Sequence, residues 1–274
     1  MITIARRQKW SKHLSRLFDL MNTDVKIYEA RDVPKKLDGI LFRYGVYVSS
    51  NADAYINSNR AISIDKATAR RILQQRRISI PITVYSLKEA KALLKLGKTL
   101  IGRPKNHFGG KHFYVIRTIR DLLRYNSKCD YYSVFIPKDK EYRVFVLLRY
   151  VIGVAEKERG EDMIRWNHRH GAVFKNVRFS AWDRRLVLLA LETADALGLD
   201  FTAIDIMKWN NRYYVLEANK APAMDSDYRL KVFARCLDFI NEYWDAYASL
   251  PMGEPIKRLP RWRDVIFPAL TLHP

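Results

Sequence analysis

The segment GLDFTAIDIMKWNNRYYVLEAN, Gly198 to Asn219, constrains the fold more than any other stretch of this chain. Two apolar runs flank a polar turn at Asn210, Asn211 and Arg212, the pattern of a β-hairpin. Asp205 interrupts the first run, and Glu217 and Asn219 interrupt the second. Strand side chains alternate faces, so Glu217 and Asn219 point the same way. A three-residue loop sets Asp205 opposite Glu217, whereas a two-residue loop shifts the register by one and turns Asp205 to the other face. Buried carboxylates need a cation or a donor. Two carboxylates and an amide oxygen on one face form a hard-oxygen set suited to magnesium that phosphates also hold. A D…ExN pattern alone reads more readily as a solvated strand; the apolar flanks favour the buried alternative.

With 274 residues, the chain has room for one large domain or two to three small ones, and 48% hydrophobic residues supply a sizeable core. Only Cys129 and Cys236 are present, so no disulfide framework is expected and a reducing, cytoplasmic setting is. No apolar run is long enough to span a bilayer, and the N-terminus lacks the apolar core of a secretory signal, so no membrane partner is expected. Forty-nine Lys and Arg against 29 Asp and Glu leave a net charge of +20, which argues for an acidic partner. The charge is spread over Arg6–Arg16, Lys66–Arg77, Arg103–Arg124 and Lys257–Arg263 rather than gathered in one nucleic-acid patch.

Periodicity predicts helices over Arg7–Leu20, Asp65–Arg77 (Asp65 as cap), Leu87–Leu96, Ile119–Tyr125, Trp182–Leu197 and Asp227–Tyr247. Strands are predicted at Asp24–Tyr28, Gly39–Phe42, Ile82–Tyr85, Thr99–Gly102, Phe113–Ile116 and Tyr131–Ile136, with an antiparallel pair at Glu141–Leu148 and Tyr150–Glu156. Arg159–Val173 reads as polar and irregular, as does the tail from Pro251. The whole is an α+β layout with joints near Pro81 and Pro137.

Two further blocks carry chemistry. In IGRPKNHFGGKHF, Gly109 and Gly110 let backbone approach a phosphate, while Arg103, Lys105, His107 and Lys111 supply donors and charge. Neither the P-loop nor the Rossmann pattern is present, and alone a basic Gly-Gly turn reads more readily as a plain hairpin. In the second block Glu141 and Arg143 share a strand face, Lys157 and Arg159 follow on the next strand, and Arg165, Asn167 and Arg169 lie beyond. Cations converging on a metal site suit phosphoryl transfer; the same residues could also lace a salt-bridged surface sheet. His168 and His170 lack the partners that would complete a zinc ligand set, and no Ser or Cys nucleophile has a recognisable elbow.

Taken in order from Asn59 to Ala223, these blocks resemble the ATP-grasp proteins, most of all the carboxylate–amine ligases that extend peptide or protein C-termini (ribosomal-protein glutamate ligase-like). The resemblance implies two α+β lobes whose antiparallel sheets sandwich the nucleotide, after a reduced N-terminal α/β domain. The divisions would be residues 1–60, 61–136 and 137–250, with 251–274 as a tail. It implies that Lys66 contacts ATP phosphates, that the loop from Arg103 through His107, Gly109 and Gly110 covers them, and that the backbone of Val134, Phe135 and Ile136 meets adenine. Arg143 would face phosphates or the acyl intermediate, with Lys157 among the ATP-facing cations. Arg165 and Asn167 would lie by the γ-phosphate and acceptor, and Asp205, Glu217 and Asn219 would hold magnesium, with manganese as the alternative ion. Arg103 and Val134 depart from the family's usual Lys and acidic residue. The implied reaction is ATP-dependent joining of a carboxylate to an amine through an acyl phosphate, on an acidic small molecule, peptide or protein. The competing expectation is a non-catalytic, nucleic-acid-binding or structural protein on the same scaffold.

Overall fold

Three β-sheets organise the computed structural model, which describes residues 1–7, 15–106, 112–148, 150–158, 160, 171–224 and 226–242. The first sheet is parallel, in the order β2-β1-β3-β4, with β1 Ile2–Arg6, β2 Val25–Glu29, β3 Ile40–Tyr44 and β4 Ala54–Ile56. β2 and β3 lie within two residues of the strands the periodicity predicts, while β1 and β4 are strands it does not predict. β1 is five residues long and its first four are all buried, Thr3 among them, so its brief Ile-Thr-Ile alternation marks no solvent face. Of the helix predicted over Arg7–Leu20, the described part is one turn, α1 Leu17–Leu20.

A linker of two helices follows, α2 Asn59–Ser63 and α3 Lys66–Gln75. Asp65 caps α3 as predicted, its Oδ1 accepting the amides of Ala67 and Thr68 at 2.8 and 2.9 Å. The second sheet is antiparallel, in the order β5-β8-β6-β7: β5 Thr83–Val84, β6 Leu100–Arg103, β7 Tyr114–Ile116 and β8 Tyr131–Val134. Its helices α4 Leu87–Lys95 and α5 Ile119–Tyr125 open on reciprocal capping boxes, Ser86 with Glu89 and Thr118 with Asp121.

The third sheet runs β11-β10-β9-β12-β13, all antiparallel: β9 Lys140–Leu147, β10 Tyr150–Glu158, β11 Val173–Asn176, β12 Phe201–Trp209 and β13 Arg212–Asn219. β11 falls partly in the stretch expected to be irregular; it is a four-residue edge strand with Val173 and Lys175 exposed, too short to leave a period. Helix α6 Arg184–Leu197, capped by Asp183 and ended by Gly198 at φ 62°, covers one face of this sheet. Val144, Val146, Ile204, Ile206 and Val215 pack there against Leu186, Leu189, Ala190 and Ala194.

The opposite face divides along its length. Towards the chain reversal at Asn210 it carries Glu141, Arg143, Lys157, Asp205 and Glu217, and beyond them Phe145, Leu147, Phe201 and Ala203. The apolar half packs on Phe42 and Tyr44 of the first sheet and Phe233 of α7 Asp227–Glu242. The Phe42 and Phe201 rings meet edge-on at 5.1 Å, and Phe201 lies 5.1 Å from Phe233. Each such burial contributes about 1.5–3 kcal/mol, so this layer fixes the first sheet against the third. Among the described residues no helix is long and apolar enough to cross a membrane. The predicted tail, with Trp244 and Tyr247 of the last helix, lies outside the described residues.

Candidate active site

The hairpin that carries the predicted metal ligands combines both registers the sequence allowed. Trp209 pairs with Arg212, so the loop is the two residues Asn210 and Asn211, both left-handed at φ 45° and 59°. By itself that loop would set Asp205 opposite Leu216. Between Asp205 and Ile206 the register shifts by one, Leu216 is the extra residue on β13, and Asp205 pairs with Glu217. The expected pairing is present, but a β-bulge produces it rather than the three-residue loop.

Arg143, Asp205 and Glu217 then form one row across β9, β12 and β13. Arg143 grips Asp205 with two parallel bonds, Nε to Oδ1 at 2.7 Å and Nη2 to Oδ2 at 2.9 Å. Lys66 Nζ donates to Glu217 Oε2 at 2.5 Å. Asn219 Nδ2 donates to Asp205 Oδ2 at 3.3 Å. Lys157 Nζ stands 3.9 Å from Asp205 Oδ2 and also donates to Glu141, which Lys138 bonds from the other side. Phe174 lies under two of these cations, 4.5 Å from the Arg143 guanidinium carbon and 5.1 Å from Lys157 Nζ.

The electrostatics follow from burial opposed by pairing. Burial would raise the Asp205 carboxyl, but Arg143 and Lys157 outweigh it and hold the group well below the carboxylate range. Glu217 is likewise lowered, burial being overcome by Lys66 even against the repulsion of Asp205. Burial lowers Lys138, only partly offset by Glu141, and lowers Arg103, only partly offset by Tyr131 and then Glu217. Both carboxylates of the row are therefore ionised hard-oxygen donors, and with the Asn219 amide they fit magnesium in chemistry. No cluster of three or more His, Cys, Asp or Glu side chains that could hold a metal occurs among the described residues.

Elements from the second sheet and the linker bring further cations. Lys66 is the first residue of α3, and its amide donates to Lys105 O at 3.2 Å. Arg103 ends β6, 5.4 Å from the Phe113 ring. Arg70 is a cation the sequence did not single out: Nη2 donates to Leu216 O at 2.7 Å, and its guanidinium lies 5.2 Å from the Tyr131 ring. Its position one helical turn from Lys66 was the available signal. Lys138 and Lys220 were also missed. Lys220 Nζ donates to Ile62 O at 2.6 Å and to Ile64 O, which ties the linker to the end of the hairpin. A cavity of about 340 Å³ opens here between Lys66, Arg70, Lys105, Tyr131, Leu216 and Glu217.

At the predicted adenine strand, the Val134 and Phe135 amides serve the sheet, donating to Ile82 O and Thr99 O at 2.8 Å each. His107, Gly109, Gly110 and Lys111 of the loop, and Arg159, Arg165, Asn167, Arg169, His168 and His170, lie outside the described residues.

Residues 132–233 match the model of the RimK-like ATP-grasp domain. The chain has the ATP-grasp fold. A probable alpha-L-glutamate ligase of Shewanella loihica (strain ATCC BAA-1088 / PV-4) is 32% identical over 85 residues, 31% of this chain and 27% of that protein. The match thus spans about a quarter of that relative's length. The ATP-grasp ligase PsnB, solved with a minimal precursor, Mg and ADP, superposes with a TM-score of 0.65 at 12% identity, over 86% of this chain and 96% of its own. D-alanine–D-alanine ligase from Bacillus anthracis gives 0.61 at 14%, over 90% and 98%. The macrocyclase MdnC from Microcystis aeruginosa MRC, bound to precursor peptide MdnA, gives 0.61 at 13%, over 88% and 100%. The row Arg143–Asp205–Glu217 and Asn219 fall inside the matched ATP-grasp domain, and Lys66, Arg70 and Arg103 reach it from outside.

Proposed function

We propose that this chain is an ATP- and magnesium-dependent ligase that joins a carboxylate to an amine. The observation that carries the proposal is the cross-strand row Arg143–Asp205–Glu217, with Lys66 on Glu217, in an ATP-grasp fold. A carboxylate resists amine attack because the leaving group would be oxide. Phosphorylation of that oxygen by the γ-phosphoryl group of ATP releases ADP and gives an acyl phosphate. The amine then attacks the acyl carbon, the C–O bond to phosphate breaks, and the amine loses a proton. No nucleophile on the protein is needed.

Asp205, Glu217 and Asn219 would hold magnesium, which when bound supplies charge neutralisation for the phosphates. Arg143 and Lys157 stand beside that set to stabilise charge on the transferring group. Lys66, Arg70 and Arg103 would bind the phosphate chain from the second sheet and the linker, and Leu216, on the bulge, offers adenine an apolar wall. The loop containing His107, Gly109 and Gly110 would cover the phosphates, with Arg165 and Asn167 beside the acceptor. Likeness to a probable alpha-L-glutamate ligase and to ligases solved with precursor or precursor peptide supports an acidic amino acid or peptide as substrate.

The test measures ADP release with ATP, magnesium and paired candidate acids and amines, and looks for the amide by mass spectrometry. ADP that appears only when an acid is supplied, with an amide product, is the expected result. ADP without amide would make the chain a kinase and remove the ligase assignment.

A further inference from the structure

We propose that Arg6, at the carboxyl end of β1, binds a carboxylate of the substrate other than the one that is phosphorylated, and so selects dicarboxylic amino acids or acidic peptides. This rests on the ligase reading above and names a residue outside the row that carries it.

The position comes first. The order β2-β1-β3-β4 sends the chain to opposite sides of β1, so a topological switch point lies between β1 and β3. Crevices outside the carboxyl ends of strands at such points receive ligands in open parallel sheets. Arg6 ends β1 there, in register with Tyr44 at the end of β3. Ile2, Ile4 and Arg6 share one face by alternation, and the two isoleucines lie in the layer between this sheet and the third. Arg6 therefore stands where that apolar layer stops. Tyr44, beside it, donates its hydroxyl to Pro222 O, three residues past Asn219. Arg7 and Gly45 line the same cavity as Lys66, Glu217 and Asn219.

The second observation is an unmet valence. Nε and Nη1 of Arg6 are buried and have no hydrogen-bond partner among the described residues. The carboxylate in register on the next strand, Glu29, is taken by Arg31 at 2.9 Å. A guanidinium in that state costs stability unless a ligand meets it. A carboxylate matches its planar fork in two parallel bonds.

The full chain is tested by thermal unfolding with magnesium and a non-hydrolysable ATP analogue, then with L-glutamate, glutarate or a triglutamyl peptide, each beside its amide counterpart. Wild type is expected to be stabilised by the acid forms and not by the amides. Arg6→Met is expected to keep the response to the ATP analogue, to unfold at the same or a higher temperature without ligand, and to lose discrimination, its apparent affinity for the acids falling about 10- to 100-fold. Arg6→Lys, which keeps the charge without the fork, should fall between and serves if the Met variant fails to fold. Glu29→Gln should leave discrimination intact. Equal response of wild type to acids and amides, discrimination retained in Arg6→Met, or affinity unchanged in Arg6→Lys would overturn the proposal; so would loss of discrimination in Glu29→Gln, which would assign Arg6 to an internal pair. A wild type that ignores the ATP analogue would instead defeat the ligase reading, with the acid-against-amide comparison still standing.

Discussion

Glu217 and Asp205 differ in what their neutralisation should do. Glu217 pairs with Lys66, a side chain 24% exposed, so Glu217→Gln lets the amine turn to water. We expect turnover to fall about 10²–10³-fold with little change in thermal midpoint, checked by ADP release and calorimetry. Asp205 is 4% exposed and gripped by Arg143, with Lys157 near it. Asp205→Asn should therefore lose activity and also about 3–5 kcal/mol of stability, because a buried guanidinium is left facing an amide. The bidentate pair with Arg143 makes Asp205 a structural group as well as a site group. Acid should act in the same direction. Both carboxyls titrate below their unfolded values, so their stabilisation is complete above the unfolded range near about pH 4 and is lost as pH falls through the lower folded values. A pH series of unfolding midpoints should decline below about pH 4, and less steeply in Glu217→Gln.

Strand ends and turns place these residues, and two of them are open to direct challenge. Asn210 and Asn211 hold left-handed backbone in the hairpin loop. Replacing Asn211 with Val should cost about 1–2 kcal/mol in denaturant melts, and more if the loop rearranges. Gly45 follows β3 at φ 70°, and a Cβ there would come within 2.6 Å of the Ala221 Cβ. Gly45→Ala should destabilise by about 1–3 kcal/mol and raise KM for ATP, since the displaced segment is the one that continues from Asn219. These features also mark where sequence stops being informative. That Asp205, Glu217 and Asn219 stand apart was legible because polar residues break an apolar alternation. The bulge at Leu216 was not, because an extra residue on one strand leaves no trace in composition or period. β1 escaped notice because it is short and buried on both faces, so its one Ile-Thr-Ile alternation sets off no polar side. Arg70, Lys138 and Lys220 owe their roles to contacts 146, 3 and 158 residues away; the first carries a hint in its i,i+4 spacing from Lys66 and the second in its closeness to Glu141, while the third has none.

At the scale of the molecule, the first sheet, the third sheet and α7 share one apolar layer. Phe201→Ala should cost about 3–5 kcal/mol, and fluorescence and far-UV melts should still coincide, because the parallel sheet has no separate core to retain on that side. Two transitions would show that the sheets unfold apart. The same layer lies on the very strands that bear the charged row, a few residues farther along.

How closely a set of oily side chains lets two sheets approach sets the spacing next to the charged row. A bulkier or leaner residue at Phe42 or Ala203 would act as a shim, changing that spacing without touching any charged atom. Selection for a longer or shorter substrate could work through such positions while leaving the reactive groups untouched.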